Sequence, residues 1–186
     1  DENRIDRRIK TNYLDRKCDS FDKALKLAVD AKEKGIALSI GLLGNAADVF
    51  RKFSTCDIIP DIVTDQTSAH DELNGYFPNN MSYKEAIVLR EKDPKKYIIE
   101  SYRTIGEHCR AMLKLQEKGS IVFDYGNNIR GQAKTNSGPT GFIQALWQDQ
   151  GRGIRGYTKT GHRHPRRRLQ SDSGARFQGG PESIQY

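Results

Sequence analysis

Several protein classes are closed to this chain by what it has little of. Its three cysteines, Cys18, Cys56 and Cys109, are odd in number and far apart. That suits reduced thiols in a cytoplasmic protein better than a disulfide framework, and offers no metal-ligand spacing. No apolar run approaches the ~20 residues a bilayer-spanning helix needs, and the charged opening Asp-Glu-Asn-Arg is no signal peptide. The G-x-G-x-x-G fingerprint of dinucleotide binding is also missing. The start at Asp1 rather than Met points to a fragment or a processed chain. What remains, 186 residues with 35% hydrophobic content, is enough for one domain with a core.

The formal charge of +7 invites a nucleic-acid reading, but its distribution argues against one. From residue 138 onward there are eight Lys/Arg against three Asp/Glu, and the preceding 23 and 21 nearly cancel. The high pI therefore belongs to a tail and not to a basic face on a folded domain.

Along the chain, residues 1–17 read as a polar connection with Ile5, Ile9 and Leu14 turned inward. A helix follows from Asp19 or Ser20 to Gly35, with Phe21, Ala24, Leu25, Ala28 and Val29 on one face. The apolar run 36–43 predicts a parallel strand buried on both faces, and Ala46 to Phe53 a helix. A second buried strand lies within 57–63, with Ile58, Ile59, Ile62 and Val63 as its apolar residues and Pro60 limiting its pairing. Ser82 and Glu85 have capping-box spacing for a helix through Arg90. Asp93 and Pro94 then start a long helix to about Lys118, whose core stripe is Ile98, Tyr102, Ile105, Cys109, Met112 and Leu115. Cys109 on that stripe is a small buried hydrophobe and not a nucleophile. Residues 120–123 give a third strand. The fold class is α/β, a Rossmann-like parallel sheet with flanking helices.

Each strand ends in small polar or Gly-containing residues, and open α/β sheets place ligands at the carboxyl ends of their strands. After the first, Gly44, Asn45 and Ala46 make a tight turn into a helix. The backbone N–H groups there can face an anion, or the turn can be a plain connection. After the second comes Thr-Asp-Gln-Thr-Ser-Ala-His, residues 64–70, followed by Tyr76 and Phe77, two flat surfaces for a ring. After the third comes Asp-Tyr-Gly-Asn-Asn-Ile-Arg, residues 124–130. Any one of these could be an ordinary loop. Three on one edge of a sheet describe a single site.

Taken together, residues 39–49 (Ser-Ile-Gly-Leu-Leu-Gly-Asn-Ala-Ala-Asp-Val), 63–78 and 123–130 (Phe-Asp-Tyr-Gly-Asn-Asn-Ile-Arg) resemble the urocanase (urocanate hydratase) family, over about residues 4–134. The resemblance implies a cytoplasmic enzyme of histidine degradation, a homodimer at full length, that hydrates urocanate to imidazolonepropionate. It also implies tightly held NAD⁺ whose oxidised nicotinamide serves as an electrophile and not as a hydride carrier. Protein then supplies orientation and electrostatics around chemistry that belongs to the cofactor.

By the same resemblance the cofactor contacts are Arg4, Asn45, Ala46, Gln66, Thr67, Ser68, Ala69, His70, Tyr76, Phe77 and Tyr125. Arg4 rests on the resemblance alone. Phe77 stands where many members have Leu. His70 is given a binding role, although its type would also suit a general base. None of the three cysteines matches the family's active-site cysteine, so no catalytic residue is assigned. The family's Gly-rich turn and substrate core are likewise missing from the recognisable sequence. The chain is expected to be the later part of an NAD-binding domain over residues 1–137, inactive alone.

Residues 138–186, rich in Gly, Arg and Gln with Arg166, Arg167 and Arg168 in a row, lose the family pattern and any apolar periodicity. Such composition predicts disorder. The favoured origin is a shifted reading frame. The alternative is a truncated non-catalytic protein whose basic tail binds a polyanion such as RNA, but the tail lacks interleaved aromatic platforms.

Overall fold

A computed structural model describes residues 2–136 and the backbone of 155–156. Its centre is the long helix α5, Pro94–Glu117. The Asp93 carboxylate accepts from Lys96 N at 3.0 Å and Pro94 occupies the first turn, so the helix starts where its sequence predicts. Eleven of its 24 residues are buried, too many for a one-sided amphipathic stripe. Ile105, Cys109, Met112 and Leu115 are fully buried on the expected face, while Ile98 and Tyr102 are half-buried.

Around α5 pack α3 (Ala46–Thr55), α4 (Tyr83–Lys92), α6 (Ile129–Asn136) and strand β4 (Ile121–Asp124). One apolar cluster joins Ile105 and Cys109 to Ala69, Tyr76, Ile129 and Ala133. A second joins Met112, Leu113 and Leu115 to Val63 and Val122, with Phe50 and Phe53 against it.

All strands pair in parallel, but the three expected strands do not share one ladder. Strand β2 (Ile40–Leu42) pairs with β1 (Arg16–Cys18), in a stretch that the sequence suggested was a connection. Strand β3 (Ile62–Asp65) pairs with β4 from Ile62↔Ile121 to Asp65↔Asp124. Two further elements were not expected, α1 (Glu2–Lys10) and α6. Arg155–Gly156, β5, pairs with the far side of β4. The expectation of an unpacked tail otherwise falls outside the described residues.

Helix α2 (Phe21–Glu33) carries the chain from β1 to β2, while α3 leads on to β3. Gly35 takes φ +64° just after α2, as a helix-ending glycine should. α4 and α5 make the crossover from β3 to β4, so the described residues form two βαβ units.

Two strand expectations need correction. Residues 36–43 are not a strand buried on both faces: only Ile40–Leu42 pair, half-buried, and Ile36 and Leu43 are exposed. The apolar run is longer than its ladder, because β1 offers three residues to pair with. Likewise Ile58 and Ile59 are exposed and lie outside β3. Pro60 has no N–H to donate, and the ladder opens only where Ile121 N donates to Asp61 O at 2.9 Å. Within β3 the alternation of a pleated strand turns Val63 and Asp65 inward and leaves Ile62 61% exposed.

Candidate functional site

The carboxyl ends of β3 and β4 are built alike. Each strand closes on an aspartate, and the two are register partners, both buried. Asp65 Oδ1 accepts from Thr67 N at 3.1 Å, and Asp124 Oδ1 accepts from Gly126 N at 2.9 Å. Each carboxylate thus folds the two residues after it back over the strand end, the local turn that aspartate favours. The second oxygen of each carboxylate meets a different kind of partner. Asp124 Oδ2 pairs with Arg130 Nε at 2.5 Å. Asp65 Oδ2 accepts from the Thr67 hydroxyl at 3.0 Å and from Asn127 Nδ2.

Residues 66–78 fold on a third aspartate. The Asp71 carboxylate accepts from Asn74 N at 2.9 Å and Leu73 N at 3.2 Å, and its carbonyl accepts from Gly75 N and Tyr76 N. The Asn74 amide bond holds the Asp71 carboxyl below the usual carboxylate range. A Cβ on Gly75 would lie 2.6 Å from Ser68 O, so the loop closes on itself only with glycine there.

These bonds bring the three expected loops together. Asn45 caps α3 by accepting from Ala47 N at 3.0 Å, while its Nδ2 donates to Phe77 O at 2.8 Å. Tyr125 N donates to Asp65 O at 3.3 Å, and Asn127 Nδ2 donates to Thr67 O at 2.7 Å. The α3 turn, whose character the sequence left open, is thus tied to the loop after β3. Asn45 itself occupies one of the first-turn donors, so an anion would meet the neighbouring N–H groups.

The residues singled out from sequence divide by exposure. Gln66, Ser68 and His70 are exposed on the loop after β3, and Tyr125 is 68% exposed after β4. Asn45, Ala46, Thr67 and Phe77 are half-buried. Phe77 stacks on Tyr83, ring centroids 5.4 Å apart and nearly parallel, and Tyr83 presents an exposed ring beside it. Ala69 and Tyr76 are core residues; their side chains shape the edge from beneath. Arg4 lies on α1, exposed.

Beneath the edge lies a constellation that the sequence reading passed over. His108, fully buried on α5, stacks on Phe50 with centroids 4.6 Å apart. Its Nδ1 is 3.2 Å from the Tyr76 hydroxyl, and its Nε2 is 3.9 Å from Asp65 Oδ1, beyond hydrogen-bond range. Burial lowers the imidazole to about 4, against the pull of Asp65, so the ring is neutral at pH 7. Burial likewise holds the Tyr76 phenol well above its ordinary value. It also pushes the Cys109 thiol up to about 12, with Asp65 and Asp124 adding to the effect. Cys109 is thus an inert core thiol, as its place on the stripe implied.

Asn79 was also missed. It donates from Nδ2 to Asp48 and Glu107 and accepts from Arg103 and Thr104, tying the turn after Phe77 to α3 and α5. The signal for Asp65 and Asp124 was present in the sequence: a strand-ending aspartate two residues before Thr or Gly. For His108 and Asn79 only the fold supplies it.

Parallel strands with flanking helices and polar loops gathered at the strand ends are the arrangement of a Rossmann-like domain. The family model of the urocanase Rossmann-like domain matches residues 1–146. The chain belongs to the urocanase family. Among the described residues no helix is long and apolar enough to cross a membrane, and no group of His, Cys, Asp and Glu could hold a metal ion.

Proposed function

We propose that this chain carries the later part of the NAD⁺-binding domain of a urocanate hydratase, over residues 1–137, with 138–186 as a separate basic tail. The observation that carries the reading is the gathering of three strand-end loops by the Asn45 to Phe77, Tyr125 to Asp65 and Asn127 to Thr67 hydrogen bonds. The residue set suits a dinucleotide: amide, hydroxyl and imidazole groups at Gln66, Ser68 and His70, first-turn N–H groups of α3, and exposed rings at Tyr125 and at Tyr83, which stacks on the half-buried Phe77.

In this reading Gln66, Thr67, Ser68 and His70 hydrogen-bond phosphate, ribose or carboxamide. Asn45 and Ala46 present the α3 turn, and Phe77 and Tyr125 pack against rings. Arg4 remains a contact proposed on the family resemblance. Ala69 and Tyr76 hold the surface in shape. The bound oxidised nicotinamide would supply an electrophile, while this chain supplies binding and orientation. No nucleophile or proton donor for urocanate is assigned to these residues. Hydration of urocanate therefore needs the remainder of the cytoplasmic, homodimeric enzyme, and the chain alone is inactive.

Calorimetric titration of the full chain with NAD⁺ should show saturable one-site binding. Loss of urocanate ultraviolet absorbance should appear only when the missing core is supplied. A cooperatively folded chain that shows no NAD⁺ binding would overturn the reading.

A further inference from the structure

Asn127 is not among the residues that the family resemblance assigns to the ligand, yet its side chain bridges three segments. Its Nδ2 donates to Asp65 Oδ2 and to Thr67 O, and its Oδ1 accepts from Ile129 N at 3.4 Å, at the start of α6. We propose that Asn127 is a positioning residue that makes the loops after β3 and β4 order as one unit, so that residues 66–70 and Tyr125 meet a ligand together. The consequence for binding rests on the function proposed above; the coupling of the loops does not.

The chemistry of the two strand-end carboxylates explains why this position matters. Asp124 has a guanidinium partner in Arg130. Asp65, equally buried, has neutral donors from Thr67 and Asn127, and the nearby His108 ring is too far for a hydrogen bond. A buried carboxylate that loses a donor is costly. The two amide hydrogens of Asn127 let one short, neutral side chain serve Asp65 and the Thr67 carbonyl at once. Aspartate at 127 would keep the shape and the acceptor for Ile129 N, but it would remove both donors and face Asp65 with a like charge.

The test is amide hydrogen exchange on the full chain, with no ligand. Asn127→Asp should speed exchange about tenfold or more in both 66–70 and 125–128 while α5 stays protected. If Asn127→Asp does not fold, Asn127→Ala reads the same coupling with a smaller rise in both segments. A rise confined to 125–128, in whichever variant folds, overturns the proposal. Titration with NAD⁺ then tests the positioning role, with affinity about tenfold weaker in Asn127→Ala expected. Wild-type binding with unchanged variant affinity overturns that role. Absence of binding by the folded wild-type chain overturns the cofactor reading instead, and the exchange result still decides the coupling.

Discussion

The two βαβ units share a plan and differ in what holds them. In the β1–α2–β2 unit the strands have three residues each, and α2 buries only Phe21 and Ala31. Register is set at the surface, where the Asp15 carboxylate accepts from Ser39 N at 2.7 Å and from the Ser39 hydroxyl at 2.6 Å. In the β3–α4–α5–β4 unit, α5 lies under both strands, and the strand ends are pinned by buried aspartates. Polar chemistry at a strand end keeps its geometry only where the backbone beneath it is held by packing. The proposed ligand edge accordingly stands on the second unit, and the first contributes through the α3 cap that follows it.

The largest expected contrast comes from cavities. Ile105→Ala, at a fully buried position, should cost about 2–5 kcal/mol of unfolding free energy. Leu25→Ala, half-buried on α2, should cost about 1 kcal/mol. Urea denaturation measures both, and equal losses would show that the units are not held differently.

Acid should separate the units next. His108 is held near 4 in the folded chain against an ordinary value of 6.5, so between those values the unfolded chain binds the extra proton. Stability therefore falls as pH drops from above 6.5 towards 4, by an amount of the order of a few kcal/mol, with Asp65 the charged neighbour that opposes the effect. His108→Phe should keep the stacking on Phe50, lose the Tyr76 partner and flatten this dependence. Asp15 in the first unit is lowered by its Ser39 hydrogen bonds but is exposed. Its contribution, present above the ordinary carboxylate range, should fade only below that range and be small. A wild-type melting temperature that is unchanged from pH 7 to pH 5 would remove His108 from the account.

Glycine substitutions sharpen the contrast at lower cost. A Cβ at Gly75 meets the Ser68 backbone at 2.6 Å, whereas one at Gly41 meets Leu14 Cδ2 at 2.5 Å, the end of a flexible side chain. Gly75→Ala should lose about 1–3 kcal/mol and Gly41→Ala under about 1. Gly75→Ala should also raise hydrogen exchange across residues 66–78.

How much could be read from the chain follows the same division. The caps at Ser20, Ser82 and Asp93 are local chemistry and stand where the sequence put them. The apolar period of α5 also survived, because Ile105, Cys109, Met112 and Leu115 of that stripe are the residues the core buries. Strand β1 was illegible: Arg-Lys-Cys has no alternation, and only its pairing with the remote residues 40–42 makes it a strand. The exposed Ile62 and Ile121, register partners 61% and 62% exposed, show why an apolar run does not by itself mean a buried strand. At the site, the loops could be recognised by residue type. The sharing of Asp65 between two of them depends on strand pairing, which no local pattern contains.

The smallest expected effect lies where the units meet. Asn45 does two things with one side chain, capping α3 through Oδ1 and tying Phe77 O through Nδ2. Serine caps about as well as asparagine, but its hydroxyl is too short to hold both partners. Asn45→Ser should therefore change global stability by less than about 0.5 kcal/mol, while residues 76–78 exchange faster and NAD⁺ affinity falls. Asn45→Ala should add the loss of the cap, about 1 kcal/mol. If the two variants bind NAD⁺ as tightly as the wild-type chain, the tie between α3 and Phe77 has no part in forming the ligand edge. The second unit would then form that edge alone.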